Sequence, residues 1–179
     1  MNYYCALNIE LRNKQELRKM IKSEIAIGRA GPPKLLAVSS GGGHWVQLLR
    51  VAAAFRNCEV TFVTTHASYR SQVRGHKFCT VNDSSRSSKF GLVRTAGQLA
   101  WIMWTEKPDI VISTGAAPGY LALRLARLIN ARTIWLDSIA NVDQLSLSGL
   151  RVGSYADLWL TQWPHLAKPE GPHYRGSVL

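Results

Sequence analysis

The sequence predicts an α/β fold in which helices cover both faces of an open parallel sheet, because short apolar runs alternate with segments of helical periodicity. A glycine-rich turn directly follows the first apolar run, which is typical of a strand that leads into a helix. With 179 residues, the chain is long enough to bury one core. Together these observations indicate a Rossmann-like domain.

The first half of the chain contains two strand–helix signals. After the break GPP at 31–33, the run KLLAVS at 34–39 is typical of a buried parallel strand. The turn SSGGGH at 39–44 leads into WVQLLRVAAAF, whose apolar residues share one helical face. The run VTFVT at 60–64 predicts the second strand, and 76–81 predicts a short third one.

The second half repeats the alternation. Its predicted elements are a basic loop at 82–91, a helix at 92–105 that ends in LAWIMW, a strand at 109–113, a helix that ends near Asn130, a strand at 133–137 and a last strand from Asp157. The turn TGAAPG connects the fourth strand to its helix, and so resembles the first glycine turn in position.

These elements define three regions. Residues 1–33 are predicted to form a basic, mainly helical arm, residues 34–164 the Rossmann-like domain, and residues 165–179 a C-terminal tail. The arm is interpreted either as a solvated helix that packs on the domain or as a lipid-surface helix. The tail is expected either to fold back on this chain or to reach a partner subunit.

The composition points to an anionic partner. Lys and Arg outnumber Asp and Glu by 22 to 11, a formal net charge of +11, while 46% of the residues are hydrophobic. Nucleic acid, an anionic lipid surface and a phosphorylated substrate all fit this charge. The three cysteines form no C-x-x-C pair, which argues against a disulfide framework and a zinc site, and no other cluster of metal ligands is apparent.

No segment has the pattern of a signal peptide or of a spanning helix. The N-terminal residues carry charges throughout, and no run approaches the ~20 apolar residues that a bilayer requires. We therefore expect a chain in a reducing cytoplasm whose contact with a membrane is peripheral.

Candidate substrate-binding residues follow three of the strands, because ligands of open α/β sheets bind at the carboxyl ends of the strands. Glycine turns let backbone amides approach an anion such as diphosphate at a helix N-terminus. The candidates are Ser40, Gly41, Gly42, Gly43 and His44 in the first turn, Thr114, Gly115 and Gly119 in the second, and Asp137 and Ser138 after the fifth strand.

Alternatives remain open for these residues. The glycines also suit tight packing of a helix on a strand, and His44 is either a base or ligand at the active edge or a polar capping residue. Neither G-x-G-x-x-G nor G-x-x-x-x-G-K-[ST] occurs, so that NAD enzymes and P-loop ATPases are poor interpretations and no cofactor is expected.

A peripheral membrane contact is predicted in the segment before the fourth strand. Arg86, Lys89 and Arg94 precede Trp101 and Trp104, a combination that suits anionic headgroups and the interfacial depth of a bilayer. The alternative is a core helix, whose buried face would hold the same apolar residues.

From about Leu35 onward, the sequence resembles the asparagine-linked-glycosylation protein fourteen family and its bacterial PssD-type relatives. The resemblance rests on SSGGGHWVQLLRV at 39–51 and on the run from Asp137 to Pro164, with LSLSG at 145–149 and QWP at 162–164. It implies one half of a GT-B glycosyltransferase similar to MurG, inverting and without a bound metal.

The resemblance also implies a partner and a reaction. A small donor-binding catalytic subunit of the PssE type would complete the enzyme and be recruited to the cytoplasmic face of the inner membrane. The pair would transfer a sugar from a UDP-sugar to a polyprenyl-diphosphate-sugar acceptor held by the present chain. His44 is the first candidate for the catalytic base and Asp137 the second.

Two departures from the family pattern favour a bacterial exopolysaccharide-type member. The charged N-terminal arm stands where eukaryotic members usually have a spanning helix, and Asp137 stands where they commonly have Glu. Two other functions remain to be weighed. A non-catalytic membrane scaffold for the donor subunit fits the same features, whereas a nucleic-acid-binding protein lacks the expected strand or helix-turn-helix motifs, and no nucleic acid is expected as a partner.

Overall fold

The computed structural model describes residues 31–83 and 89–178, and of Lys89 the backbone only. Most of the predicted N-terminal arm and Arg86 therefore lie outside the described residues. The strands are β1 (Lys34–Val38), β2 (Glu59–Thr64), β3 (Lys77–Thr80), β4 (Ile110–Ser113), β5 (Arg132–Leu136), β6 (Leu158–Thr161) and β7 (His173–Tyr174). The α-helices are α1 (Gly43–Ala52), α2 (Lys89–Glu106), α3 (Ala116–Leu128) and α4 (Leu147–Val152). Shorter 3₁₀ segments cover Ala53–Phe55, Ala67–Val73 and Pro164–Leu166.

The strands form one sheet in the order β3-β2-β1-β4-β5-β6-β7, and every neighbouring pair is parallel. Strand order reverses between β1 and β4, because the chain returns from the β3 edge through α2 to the other side of β1. Ligands of open parallel sheets bind at such a switch point, outside the carboxyl ends of the strands. The predicted Rossmann-like open parallel sheet is therefore confirmed.

Two apolar layers cover the sheet, since alternate residues of each strand point to opposite faces. Trp45 and Leu48 of α1 pack on one face, with alternate strand residues such as Leu35. Leu99 of α2 and Leu123 of α3 pack on the other face. Each of these side chains is at most 1% exposed, so helices shield both faces of the sheet from solvent.

The C-terminal segment folds back onto the same sheet, one of the two predicted alternatives. Residues 173–174 add β7 beside β6, and Val178 lies in the core layer of α1. Val178 N donates to Gln162 Oε1 at 2.9 Å, and Arg50 Nη1 donates to Val178 O at 3.1 Å. A two-residue strand has no detectable alternation, which is why the sequence does not predict β7.

Candidate functional site

An open cleft of about 530 Å³ lies at the carboxyl edge of the sheet, where the switch point places it. Its lining residues come from the loops after β1, β2, β3 and β5 and from the beginning of α3. They are Ser40, Gly41, His44, His66, Asp83, Ala116, Ala117, Pro118, Ser138, Ala140, Asn141, Ser146 and Ser148. Hydroxyl, amide and imidazole groups dominate this surface, and such groups suit a polyhydroxylated or phosphorylated ligand.

His44 has a fixed orientation in the cleft. Its Nδ1 lies 2.8 Å from the carbonyl oxygen of Thr114, and Thr114 Oγ1 donates to the carbonyl oxygen of His44 at 2.7 Å. A carbonyl oxygen only accepts, so Nδ1 carries the proton and Nε2 is the basic nitrogen of the neutral ring. No side chain caps α1, so His44 does not cap this helix, and its role as a base stays a prediction.

Gly115 makes room for the His44 ring. A Cβ at this position would collide with Cε1 and Nδ1 of the ring and lie 3.3 Å from Nε2. The backbone of Gly115 has φ +136°, a conformation that strongly favours glycine. Its N–H donates to Ser113 Oγ at 3.1 Å, so this amide is already satisfied and Gly115 acts on the site through the ring of His44.

A second histidine, His66, lines the same cleft and lies against the first glycine turn. A Cβ at Gly41 would collide with Cδ2 of His66 and lie 2.5 Å from its Nε2. Within the described residues, neither ring nitrogen of His66 has a hydrogen-bond partner in the protein. His66 was not among the predicted site residues, although it stands two residues beyond β2, where the rule on strand ends applies as it does after β1.

Tyr69 supports the first glycine turn through a hydrogen bond to its backbone. Its hydroxyl oxygen accepts a hydrogen bond from Gly42 N at 3.1 Å, and its ring stacks on Trp45 with the centroids 5.1 Å apart. Gly42 has φ +65° and precedes α1. The turn is therefore held by a side chain of the 3₁₀ segment Ala67–Val73.

The second glycine turn contributes less to the cleft than predicted. Thr114, Gly115 and Gly119 are buried and do not line it. A Cβ at Gly119 would collide with Ser113 Oγ and lie 2.8 Å from Ser113 Cβ, so the tight-packing alternative holds for this glycine. The cleft is instead bounded by Ala116, which has φ +65° although it is not glycine. Such a conformation costs about 1–3 kcal/mol and clusters at functional sites.

Asp137 is buried, and its carboxylate points towards Ser146 rather than lining the cleft. Its side chain is 1% exposed, with Oδ2 accepting from Ser146 N at 2.9 Å and Oδ1 accepting from Ser146 Oγ at 2.7 Å. Asn141 Nδ2 adds a longer hydrogen bond of 3.4 Å to Oδ1. Asp137 therefore does not line the cleft but binds residues of the loop that does, and its predicted role as a base stays a prediction.

The motif residues from Asp137 to Trp163 form one connected unit around that wall. Gln162 Nε2 donates to Asp137 O at 2.8 Å, and Trp163 Nε1 donates to Ile139 O at 2.9 Å. Ser146 caps α4 by accepting from Gly149 N at 2.8 Å, and a Cβ at Gly149 would lie 2.8 Å from Asp137 Oδ2. LSLSG and QWP therefore hold the loop that presents Ser138, and LSLSG also lines the cleft with Ser146 and Ser148.

Of the predicted substrate-binding residues, the structure brings Ser40, Gly41, His44 and Ser138 together in the cleft. Gly42 and Gly43 are exposed beside it. Residues that the sequence analysis missed supply the rest of the polar lining, namely His66, Asp83, Asn141, Ser146 and Ser148. Across the described parts of the chain, no three His, Cys, Asp or Glu side chains are grouped so as to hold a metal ion.

The helix α2 has both a core face and an exposed apolar face: Leu99, Ile102 and Met103 are buried, as the core-helix alternative expects, whereas Trp101 and Trp104 are exposed. Its exposed face carries Phe90, Val93, Trp101 and Trp104, which we call the α2 stripe and which are 64–81% exposed. Phe90 and Val93 were not predicted. Among residues 31–83 and 89–178, no helix combines the length and the hydropathy needed to cross a bilayer.

Arg94 lies beside this stripe at the cleft end of α2. With the Asn82 amide oriented so that its oxygen faces α2, Arg94 Nε and Nη1 lie 3.1 and 3.2 Å from that oxygen. Asn82 O also accepts from Thr95 Oγ1 at 3.0 Å. The predicted membrane-contact residues Arg94, Trp101 and Trp104 are thus exposed on one helix, and their contact with lipid stays a prediction.

Comparison with known families identifies the chain. Residues 76–178, more than half of it, match the family model described as "Oligosaccharide biosynthesis protein Alg14 like". The chain belongs to this family. A relative from Yarrowia lipolytica is 26% identical over 82% of this chain and 82% of its own length, and one from Schizosaccharomyces pombe is 34% identical over 46% and 43%. Both are named as subunits of a UDP-N-acetylglucosamine transferase, ALG14, which agrees with the predicted glycosyltransferase subunit.

Solved structures with the same fold are about twice as long as this chain. MurG from Acinetobacter baumannii superposes with a TM-score of 0.65 at 14% identity, over 80% of this chain and 45% of its own. A UDP-N-acetylglucosamine 2-epimerase from Rickettsia bellii superposes with a TM-score of 0.60 at 12% identity, over 75% and 40%. At such identities the likeness shows the fold alone. The predicted likeness to one half of a GT-B enzyme is therefore confirmed for the fold.

Proposed function

We propose that this chain is the acceptor-binding subunit of a bipartite, inverting glycosyltransferase that transfers N-acetylglucosamine from its UDP-linked donor to a polyprenyl-diphosphate-linked sugar. The observation that carries the proposal is that a chain matching under half of MurG holds an open polar cleft with an oriented histidine. The donor-binding half is proposed to be a small separate subunit of the PssE type. The donor sugar is taken from the names of the fungal relatives.

The chemistry assigned to this chain is proton transfer at His44. An acceptor hydroxyl attacks the anomeric carbon of the donor sugar, the bond from that carbon to the UDP oxygen breaks, and UDP leaves with the electron pair. His44 Nε2 accepts the hydroxyl proton while Nδ1 keeps its hydrogen bond to Thr114 O. That hydrogen bond also stabilises the imidazolium that forms, because its acceptor is a carbonyl dipole.

The diphosphate of the acceptor is proposed to lie at the first glycine turn. α1 begins there, its first turn contains no acidic residue, and the turn borders the cleft. Backbone amides at the N-terminus of a ten-residue helix favour an anion electrostatically. Ser138 and Asn141, which line the same cleft, are proposed to contact the sugar that follows the diphosphate.

Peripheral membrane association is proposed to run through the α2 stripe. The α2 helix covers the sheet with Leu99 and Met103, and so leaves Trp101 and Trp104 outside with their ring centroids 5.2 Å apart. Exposed tryptophans with a neighbouring arginine suit the interface of a bilayer that carries anionic lipid. A cytoplasmic membrane face is the location where such a lipid-linked acceptor and a UDP-sugar meet.

Reconstitution tests the reaction. The full chain and its co-purified small partner are assayed on vesicles with UDP-N-acetylglucosamine and a short polyprenyl-diphosphate-sugar, and product is followed by mass spectrometry. We expect transfer only when both chains are present. The scaffold function would be shown instead if the chain brought the partner to vesicles and the acceptor-side variant His44→Ala still supported transfer at the wild-type rate.

Vesicle flotation tests the membrane contact separately. The double variant Trp101→Ser, Trp104→Ser should lower the partition coefficient into anionic vesicles by about tenfold or more. The reason is that burying one large apolar side chain contributes roughly 1.5–3 kcal/mol. Val46→Ser is the matched control, because Val46 is also exposed and apolar but lies on α1, which covers the other face of the sheet. Equal partitioning of the double variant and the control would refute the α2 stripe as the contact.

A further inference from the structure

His66 is a polar group of the cleft that the proposed proton transfer does not use. It follows β2 and lies beside the glycine turn that follows β1, in the same cleft as His44. The edge of its ring that carries Nε2 is packed so closely against Gly41 that no other residue fits at that position without displacing it. Gly41 has no positive φ that would require glycine, so the space for His66 accounts for the glycine.

The described residues around His66 leave both of its ring nitrogens without a hydrogen bond. In the described part of the chain, its nitrogens have no hydrogen-bond partner, whereas His44 is tied to Thr114 O. Tyr69 contacts the ring with the centroids 5.4 Å apart and holds Gly42 N through its hydroxyl. An imidazole whose two nitrogens have no partner among the described residues, at the lining of a cleft and beside a glycine turn, is suited to an anionic oxygen ligand.

We propose that His66 is a substrate-binding residue that donates a hydrogen bond from its ring to a diphosphate held at the first glycine turn. The role is distinct from that of His44, since His66 acts in the ground state as well as in the transition state and so changes affinity more than turnover. This inference rests on the proposed function for the location of the diphosphate. Two sources share this chemistry, the lipid-linked acceptor and the nucleotide of the donor.

Binding measurements on the full-length chain test the proposal and separate the two sources. Farnesyl diphosphate and UDP are titrated separately into wild-type chain, His66→Ala and His66→Gln, with binding followed by calorimetry and by ¹⁵N chemical shifts of labelled imidazoles. We expect His66→Ala to weaken one of the two ligands by about 10-fold to 100-fold, the size of one charge-assisted hydrogen bond. His66→Gln, which keeps a donor, should recover part of the loss.

The matched control is His76→Ala. His76 is exposed and packs edge-on against Phe62 with the centroids 5.5 Å apart, but it does not line the cleft. Loss confined to farnesyl diphosphate assigns His66 to the acceptor, and loss confined to UDP assigns it to the donor. The proposal would be overturned if His66→Ala bound both ligands as tightly as His76→Ala does, and if neither ligand changed the ¹⁵N chemical shifts of His66 in the wild-type chain.

Kinetics of the reconstituted pair distinguish this inference from the function on which it rests. His66→Ala should raise the KM of one substrate about tenfold while kcat stays within about threefold of wild type. An active pair whose His66 variants bind and turn over normally refutes the role of His66 alone. A pair that transfers no sugar, although the chain binds a diphosphate through His66, refutes the proposed reaction alone.

Discussion

Two histidines in the cleft are each packed against a glycine, and the comparison between the two pairs separates their functions. His44 lies on Gly115, and His66 lies on Gly41. In both pairs a Cβ on the glycine would collide with the imidazole ring. The same steric arrangement therefore brings a ring close to the backbone at the carboxyl edge of the sheet.

The pairs differ in what holds the ring and the glycine. His44 is bound through Nδ1 to Thr114 O, and Gly115 has φ +136° with its amide bonded to Ser113. His66 is exposed, and Gly41 has no such backbone constraint. A ring with a fixed tautomer suits proton transfer, whereas a ring without a fixed partner suits ligand binding. Substitutions in the two pairs should consequently separate turnover from affinity.

The largest effect is expected for His44→Ala. Removing the base should lower kcat by about 10²–10⁴-fold, the usual contribution of general base catalysis, with little change in KM. Steady-state rates of the reconstituted pair and thermal unfolding of the chain measure this. His165→Ala, a histidine outside the cleft whose Nε2 lies 2.7 Å from Val142 O, is the control. A near-normal kcat would remove His44 as the base.

Gly115→Ala should come next, since it perturbs the same histidine without removing it. The new Cβ would push the ring away from Thr114 O, and misplacement of a catalytic group by ~1 Å costs on the order of 10²-fold in rate. The φ of +136° adds strain of about 1–3 kcal/mol. We expect a lower kcat together with a lower melting temperature. Gly97→Ala is the control for stability, because Gly97 is in α2 with open space around it.

Gly41→Ala should affect binding without affecting the fold. The obstacle to its Cβ is the end of an exposed side chain, so His66 can swing away and stability should stay within about 0.5 kcal/mol of wild type. The affinity for the diphosphate ligand should then fall to the level of His66→Ala, and Gly41→Ala combined with His66→Ala should bind no more weakly than either one. Additive losses in the double variant would show that the two residues do not act as a pair.

The fold of this chain could be predicted from sequence because its signals are local. The alternation of KLLAV, VTFVT and IVIS with amphipathic helices lies within short windows, and the strands form within one or two residues of the predicted positions. The family followed from motif residues, of which the run from Asp137 to Pro164 lies within the family-model match over 76–178. Short elements of the described residues escaped prediction, among them α4 and β7, whose six and two residues carry no measurable period, and the 3₁₀ segment Ala67–Val73.

The site could be predicted only in part, because the roles of its residues depend on contacts between distant segments. Gly41 and His66 are separated by 25 positions in the numbering, and nothing in either segment indicates that they touch. Asp137 was placed at the active edge because it follows a strand, yet its carboxylate turns towards Ser146. Position after a strand thus predicted the correct edge of the sheet, while the direction of each side chain required tertiary structure.

The smallest expected effect concerns Tyr69, which contacts the His66 ring and accepts a hydrogen bond from Gly42 N in the first glycine turn. Tyr69→Phe keeps the ring that stacks on Trp45 and removes only the hydrogen bond from Gly42 N to the hydroxyl oxygen. Stability should fall by about 0.5–1.5 kcal/mol, the net contribution of one such bond, as measured by urea unfolding. Tyr120→Phe is the control, because the Tyr120 hydroxyl has no hydrogen-bond partner within the described residues.

If the glycine turn is held in place for the diphosphate, Tyr69→Phe should also weaken ligand binding a few-fold, less than the loss of one full hydrogen bond to the ligand. The kcat of the reconstituted pair should remain unchanged, since His44 is oriented from Thr114, on the other side of the cleft. A fall in kcat with unchanged affinity would reverse the assignment of the two pairs, because it would make the Tyr69 side of the cleft the one that positions the reacting groups.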